Sequence, residues 1–273
     1  MVASSVNQHW PVRDQRVILL FWPNVIGYLR MVIYATAAII ALVAADVTDG
    51  ASASQIGSVK SSENAVGAVL LLFLLGHALD VFDGMVARRL GQCSKFGEVL
   101  DVAIDNFARG LSWLLAVRVA PGAGRASFVT ALAAVFTPLE WLTFLTAHAA
   151  GVQAGLHWKH WAAKDTPAPP EAPKITTPWL VQRVFHNGFK NVFGILSLGG
   201  AFLLPLYLYS SCATAKCRSA AQTSMFTELL STLSRGHILE VLLAGRCLCA
   251  YCECWVIHCY AVTLLHVPAE KSD

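Results

Sequence analysis

The chain has 273 residues, of which 56% are hydrophobic and only 14% charged, and its mean hydropathy is +0.55. This composition departs far from that of a soluble domain and predicts an all-α integral membrane protein. The formal net charge of +3 is small, and without a dense run of lysine and arginine it argues against nucleic-acid binding.

The N-terminal residues 1–24 have mixed polarity and precede the first long apolar run. Two arginines, Arg13 and Arg16, stand just before the apolar stretch 17–22. This pattern is typical of a short amphipathic helix lying at a membrane interface. We therefore expect residues 1–24 to form a cytoplasmic or interfacial segment.

The first apolar run, Val25 to Ala45, is long enough to cross a hydrocarbon core about 30 Å thick. It continues well beyond a short signal-peptide core, so we interpret it as a retained span. Arg30 lies inside this run. Its side chain either snorkels to the headgroups or faces a polar cavity, and the sequence leaves both possibilities open.

Two further spans follow a polar stretch, 46–63, which is rich in serine, glycine and alanine and is predicted to be a loop. The second span starts at Ala65 and continues as a helix to Arg89. A short connection at 90–95 leads to the third span, 96–119.

Three more apolar runs complete a predicted bundle of six membrane-spanning helices. The predicted order is a turn at 121–124, a span at 126–147, a long polar loop at 151–188, a span at 191–211, a span within 238–267 and a tail at 268–273. The loop contains a proline-rich piece, 167–173, where a packed helix is not expected. We expect residues 25–267 to form one membrane domain.

The orientation of the bundle follows from its even number of spans and its basic residues. Six spans place both termini on one side, together with the connection between the second and third spans. More lysines and arginines lie on that side than on the other. Basic residues accumulate in cytoplasmic segments, so we expect this side to face the cytoplasm.

Five of the eight cysteines lie close together between Cys247 and Cys259. The spacing of Cys249 and Cys252 is compatible with a zinc site. The apolar neighbours favour another interpretation, in which these cysteines are small buried residues of a membrane helix.

The most informative stretch runs from Asp80 to Asp105 and places charged residues where the chain is otherwise apolar. Its pattern is D-x2-D-G-x2-A-R-x8-G-x3-D-x3-D. In helices, Asp80 and Asp83 share one face at i, i+3, and Asp101 and Asp105 share one face at i, i+4. Two helices can thus present paired carboxylates to a common point.

Paired carboxylates within a membrane require a compensating cation. Each costs about 2.5–3.5 kcal/mol at the centre of a span, and less near the interface. Hard oxygen ligands suit Mg²⁺ or Mn²⁺, and a two-metal site can bind a diphosphate. Gly84 and Gly97 would let a ligand approach the backbone, and Gly97 also lies near a helix start, where amides favour anions.

Each of these residues also has a simpler interpretation. A glycine in a membrane helix is usually a packing residue, and aspartates at a helix end can be solvated or paired with Arg88 and Arg89. The eight specified positions in one register favour the functional interpretation over chance.

The same eight positions resemble the signature of the CDP-alcohol phosphatidyltransferases at every position. The resemblance implies a six-helix membrane bundle, usually dimeric, and a reaction in which an alcohol attacks the β-phosphorus of CDP-diacylglycerol and releases CMP. It further implies that Asp80, Asp83, Asp101 and Asp105 hold the metal ions and that Asp105 is the general base. The residues expected at the CDP group are Gly84, Ala87, Arg88, Gly97 and Arg30.

The acceptor alcohol is indicated by a second resemblance. The stretches 21–31 and 91–97 are similar to those of eukaryotic phosphatidylinositol synthases, which favours myo-inositol and the endoplasmic reticulum. Asn106 and Phe107 stand where that group would have arginine and cysteine, and the similarity weakens beyond residue 120. Glycerol 3-phosphate and serine are the alternative acceptors.

Two other classes of protein compete with this enzyme. An ion-coupled transporter would also carry carboxylates within the membrane, but its usual broken helices and internal repeats are not found in the sequence. A scaffold that has lost activity would not need all four aspartates.

Overall fold

A computed structural model describes residues 12–50, 56–154, 175–218 and 237–265 of the chain. These residues form a 3₁₀ helix, Val12–Leu20, and seven α-helices: α1 Trp22–Gly50, α2 Ile56–Leu90, α3 Lys95–Val119, α4 Ala123–Ala154, α5 Trp179–Phe185, α6 Val192–Arg218 and α7 Ile238–Leu265. No strand occurs within the described ranges. The prediction of an all-α protein is confirmed.

Five of the helices are long and apolar enough to cross a membrane. The segments are Trp22–Val47 of α1, Asn64–Leu90 of α2, Ala123–Ala149 of α4, Val192–Lys216 of α6 and Ile238–Thr263 of α7. They coincide with the first, second, fourth, fifth and sixth predicted spans. The third predicted span is the helix α3, which carries several charged residues and is less apolar than these five segments. The chain is therefore a multi-pass helical membrane protein.

The loop predicted at 46–63 is wrong over most of its length. Helix α1 continues to Gly50, and α2 already begins at Ile56. The stretch contains no proline, and alanine, serine, glutamate and lysine are all compatible with a helix. On α1, the Asp46 carboxylate also accepts a hydrogen bond of 2.6 Å from Arg118 of α3. The change in composition marks a change in surroundings and not the end of the helices.

The long loop predicted at 151–188 is also partly helical. Helix α4 extends to Ala154, and the short helix α5 occupies Trp179–Phe185. Val181 and Val184 of α5 are fully buried against Trp255 and Val256 of α7, which explains why this segment folds back onto the bundle. The proline-rich piece 167–173 lies outside the described residues.

The segment before α1 is a 3₁₀ helix that presents apolar side chains outward. Val17, Leu19 and Leu20 are exposed, and the chain then turns into α1, where Pro23 stands in the first helical turn. Proline is favoured at this position because the missing amide hydrogen would have no partner there. The Asn24 side chain donates a 2.6 Å hydrogen bond to the carbonyl of Ile18 and holds the two elements together.

The connection between α2 and α3 is short because both helices are capped tightly. Gly91 adopts a φ of +63°, the left-handed conformation that favours glycine. The amide of Gln92 donates to the Ala87 carbonyl at 2.9 Å and closes α2. At the start of α3, the Ser94 hydroxyl accepts a 3.0 Å bond from the Gly97 amide. The C-terminus of α2 is thereby placed beside the N-terminus of α3.

Helix α3 lies at the centre of the bundle. It packs against α1, α4 and α6, while α1 pairs with α2 and α6 pairs with α7. The main core is built largely from these helices and includes Tyr34, Phe73, Ile104, Trp113, Leu204 and Tyr209. Helix α3 therefore contacts both the first and the second half of the chain.

Helices α6 and α7 approach each other at two glycines. A Cβ atom added at Gly200 would lie 2.1 Å from the backbone nitrogen of Arg246, and one added at Gly245 would lie 2.2 Å from the carbonyl oxygen of Leu196. Small residues permit such backbone contacts between membrane helices.

The five C-terminal cysteines lie on α7, which is a continuous helix through all of them. Each is a free cysteine, and Cys252 and Cys259 are buried in an apolar cluster with Trp255. The interpretation of small buried residues therefore holds for Cys252 and Cys259, whereas Cys249 is half-buried and Cys247 and Cys254 are exposed. None of them belongs to a candidate metal cluster in the part of the chain that the structure describes.

Candidate active site

Four aspartates from two helices converge on one guanidinium group, and we call these four residues the aspartate cluster. On α2, Asp80 and Asp83 each place a carboxylate oxygen 2.8 Å from Nη1 of Arg30, and Asp101 on α3 does the same. The Asp105 carboxylate lies 2.7 Å from Nη2. The expectation that both helix faces point to a common place is confirmed.

Arg30 does not snorkel to the membrane surface. Its side chain is fully buried and faces the carboxylates of the aspartate cluster in the interior of the bundle. Four carboxylates surround one guanidinium, and the cluster therefore retains an excess of negative charge when all four are ionised. This excess is what a divalent cation would neutralise.

Three of the four aspartates have the spacing of a metal site. Asp80, Asp101 and Asp105 each offer one carboxylate oxygen, and these oxygens all lie within 4.8 Å of one another. Asp83 is outside this group of three, although it contacts the same guanidinium. Carboxylate oxygens are ligands that suit Mg²⁺ and Mn²⁺. The donor set thus fits a hard divalent ion.

A cavity of about 200 Å³ opens beside the aspartate cluster, between the N-terminus of α1, the C-terminus of α2 and the N-terminus of α3. Its lining includes Gly84, Ala87, Arg88 and Gly97, together with Asp83 and Asp101. Four of the five residues predicted to bind substrate therefore lie on one cavity. Arg30, the fifth, is not among the lining residues.

The two glycines of the motif play different parts in this cavity. The atoms nearest to a Cβ added at Gly84 belong to the Arg88 guanidinium, at 3.4 Å and beyond. Close packing against a neighbouring helix is therefore not the reason for a glycine at position 84. A Cβ added at Gly97 would lie 3.0 Å from Oδ1 of Asn24 and 3.2 Å from Oγ of Ser94, so glycine makes room for α1 at this position.

Aromatic and imidazole side chains continue the site toward the core. The Tyr34 hydroxyl and Nδ1 of His77 are 3.1 Å apart, and the edge of the His77 ring meets Phe202 of α6 with centroids 5.0 Å apart. His77 precedes Asp80 by one helical turn. These residues were not predicted from the sequence.

A second group of buried charges, also not predicted from the sequence, lies on α3, α4 and α7. We call Arg109, Glu140, Arg246 and Glu253 the buried charge network. Glu140 Oε2 lies 3.2 Å from Nε of Arg109, and its Oε1 lies 3.1 Å from Nη2 of Arg246. Arg246 Nη1 also donates to Glu253 at 2.9 Å. Charged residues inside apolar runs were the signal that could have found them.

Comparison with known proteins agrees with this geometry. The sequence profile of the CDP-alcohol phosphatidyltransferases matches residues 20–181, more than half of the chain and all of the helices that form the aspartate cluster. The chain belongs to the CDP-alcohol phosphatidyltransferase family. The resemblance inferred from the motif is therefore confirmed.

One relative of this phosphatidyltransferase carries a more specific name. Over 105 residues the chain is 34% identical to the CDP-diacylglycerol–inositol 3-phosphatidyltransferase of Candida albicans. The match covers 38% of this chain and 35% of the relative, so it spans only about a third of the relative's length. No solved structure matches the chain.

Phosphatidyltransferases of this family use divalent metal ions, and the aspartate cluster is where such ions would fit. The Arg30 guanidinium already marks a cation position there, within 2.8 Å of all four carboxylates. The buried charge network contains as many arginines as glutamates and has no comparable excess of negative charge. The aspartate cluster is accordingly the candidate active site.

Proposed function

We propose that this phosphatidyltransferase transfers the phosphatidyl group of CDP-diacylglycerol to myo-inositol, giving phosphatidylinositol and CMP. The observation that carries the proposal is the convergence of four carboxylates at one point beside a cavity lined by the rest of the motif. Membership of the family supports the reaction class, and the Candida albicans relative supports the acceptor.

The cavity is the proposed site for the cytidine diphosphate group. Gly84, Ala87 and Gly97 keep its walls free of large side chains, and Arg88 offers a guanidinium that can bind phosphate oxygens. Arg30 would contribute positive charge toward the diphosphate from the aspartate side. The position of four of the five predicted substrate-binding residues on the cavity supports this assignment, while Arg30 is assigned from its contacts with the aspartate cluster.

Asp80, Asp83, Asp101 and Asp105 would hold two Mg²⁺ or Mn²⁺ ions. When bound, such ions offset the charge of the diphosphate and polarise the phosphorus under attack. The two helices fix the carboxylates in advance, because each pair lies on one helix face and the short connection at Gly91 sets the distance between the helices.

Asp105 is the proposed general base. Its carboxylate would take the proton from the acceptor hydroxyl as the hydroxyl oxygen forms a bond to the β-phosphorus. The bond between that phosphorus and the oxygen of CMP then breaks, and CMP leaves. Of the four aspartates, Asp105 lies farthest along α3, and it is not among the residues that line the cavity.

We further propose that α3 also spans the membrane, which brings the number of spans from five to six. With 25 residues it is about 37 Å long, which is sufficient for a bilayer core, and the two charged residues nearest its middle, Asp105 and Arg109, contact Arg30 and Glu140 inside the bundle. Residues 1–24 would then lie at the interface, residues 25–267 would form the membrane domain and residues 268–273 the tail. A homodimer in the endoplasmic reticulum, with the active site facing the cytoplasm, completes the proposal.

A panel of acceptor alcohols tests the proposed reaction. Membranes that contain the protein are supplied with CDP-diacylglycerol and with myo-inositol, serine or glycerol 3-phosphate, and CMP and the lipid product are measured. We expect phosphatidylinositol from the inositol reaction only, with Mg²⁺ or Mn²⁺ required. Chelation of divalent ions should stop CMP release because the cluster then lacks its counter-charge.

The panel separates the acceptor from the reaction class. A product formed with serine or glycerol 3-phosphate, but not with inositol, would contradict the acceptor and preserve the class. Absence of CMP release with every acceptor would contradict the proposed function as a whole.

Filling the cavity should prevent nucleotide binding. We expect Gly84→Val to raise the KM for CDP-diacylglycerol at least tenfold, because its methyl groups would occupy space beside Arg88. The matched control is Gly110→Val on α3, where no atom lies within 4 Å of an added Cβ. Equal KM values for the two variants would show that the cavity is not the CDP site.

A further inference from the structure

The buried charge network lies outside the motif and outside the cavity. Its residues come from α3, α4 and α7, and Glu140 and Arg246 have side chains that are 1% and 0% exposed. Arg109 and Glu140 occur near the middle of their helices. Charges at this depth in a membrane helix are costly and generally mark function.

The network is held by contacts on every side. The Arg246 guanidinium lies 4.2 Å from the centroid of the Phe136 ring, and that of Arg109 lies 4.7 Å from the centroid of Phe202. The close approach of α6 and α7 at Gly200 sets the backbone of Arg246. These contacts leave the charged groups little freedom to move.

Arg109 is the point at which the network meets the active site. It follows Asp105 by four residues on α3, so both side chains leave the same helix face one turn apart. Phe202, which lies under the Arg109 guanidinium, also contacts His77, and His77 is bonded to Tyr34. Arg109 therefore belongs to the wall below the aspartate cluster.

We propose that Glu140 is a positioning residue of the transfer reaction: held by Arg246, it fixes Arg109 one helical turn below Asp105. This role rests on the proposed function. The described residues of α4 to α7 supply no carboxylate to the aspartate cluster and no lining to the cavity. The network links the charged residues of α4 and α7 to Arg109, next to the aspartate cluster.

Stability alone is a weak reason for such a network. Well-packed apolar residues can often replace a buried ion pair without loss of stability. A buried acid that contacts two arginines on two other helices instead defines where each guanidinium sits. The reaction then depends on the position of the Glu140 carboxylate and not merely on its charge.

The test uses Glu140→Asp, which keeps the charge and draws the carboxylate back by one methylene group. We expect kcat to fall about 10- to 100-fold, since a misplacement of about 1 Å can have this effect, while the KM for CDP-diacylglycerol stays within about twofold. The thermal midpoint in detergent reports whether the variant is folded. A merely structural role would lower that midpoint and the active fraction, leaving kcat per folded enzyme unchanged.

A double variant shows whether Glu140 acts through Arg109. In an Arg109→Gln background, Glu140→Asp should change kcat by less than about twofold, because the group that it positions is gone. The matched control is Asp46→Glu, which alters the carboxylate partner of another α3 arginine, Arg118, away from the site. We expect its kcat to equal that of the wild type.

Three outcomes would overturn the proposal. If folded Glu140→Asp has the kcat of the wild type, the positioning role is wrong and the proposed function is unaffected. The same holds if the effects of Glu140→Asp and Arg109→Gln on kcat are independent and multiply. A wild-type protein that releases no CMP from CDP-diacylglycerol contradicts the proposed function, and the positioning role with it.

Discussion

Replacement of Asp105 with asparagine is expected to lower the rate of CMP release at least about 100-fold while the protein stays folded. The amide cannot take the proton of the acceptor hydroxyl, and it is a weaker ligand for a hard metal ion. Its oxygen can still accept the bond that Nη2 of Arg30 donates to Asp105 over 2.7 Å. The loss should therefore appear in the reaction and not in the fold.

The measurement compares CMP release and the thermal midpoint for Asp105→Asn and for Asp46→Asn. Asp46 is a suitable control because it also pairs with an arginine, Arg118, but its side chain is 74% exposed and lies away from the aspartate cluster. We expect Asp46→Asn to match the wild type, since exposed ion pairs contribute little. Substantial turnover by Asp105→Asn would remove its assignment as the base.

Local rules were sufficient to predict the geometry of the aspartates. Spacings of three and four residues place each pair on one helix face, and the connection at 90–95 is too short to let the two faces diverge. Gly91 and Ser94 supply the caps that such a connection needs. The convergence of Asp80, Asp83, Asp101 and Asp105 thus followed from the sequence before any packing was known.

Contacts between distant helices could not be predicted in this way. The direction of Arg30 depends on how α1 crosses α2 and α3, and the pairing of Glu140 with Arg109 and Arg246 depends on three helices together. No spacing rule relates residues so far apart. Each of these charges was visible as an exception in an apolar run, but its partner was not.

Helix ends were mispredicted for a related reason. At 46–63 the polar composition was interpreted as a loop, whereas α1 and α2 extend into it. A membrane helix can leave the hydrocarbon core and continue, because its backbone hydrogen bonds are internal to the helix. Composition reports the surroundings of a segment more directly than its conformation.

The two halves of the bundle have separate tasks. Helices α2 and α3 carry the aspartate cluster, α1 carries Arg30, and all three line the cavity. On the other side of α3, α4 and α6 pack against it, and α7 packs against α4 and α6. The close crossing of α6 and α7 then becomes important for the site as well as for the fold.

Gly200→Ala should disrupt that crossing. An added Cβ would lie 2.1 Å from the backbone nitrogen of Arg246 and 2.3 Å from the carbonyl carbon of Gly245, and backbone atoms cannot rotate aside as a side chain would. The helices must separate, which we expect to lower the free energy of unfolding by about 1–3 kcal/mol. Thermal unfolding in detergent measures this loss.

Gly199 is the matched control, because it precedes Gly200 on the same helix and has no atom within 4 Å of an added Cβ. Gly199→Ala should leave the midpoint unchanged or raise it slightly, since alanine favours a helix over glycine. If Gly200→Ala is destabilised and its surviving folded fraction also has a reduced kcat, displacement of Arg246 reaches the reaction. Equal midpoints for the two alanine variants would show that α6 and α7 do not meet at Gly200.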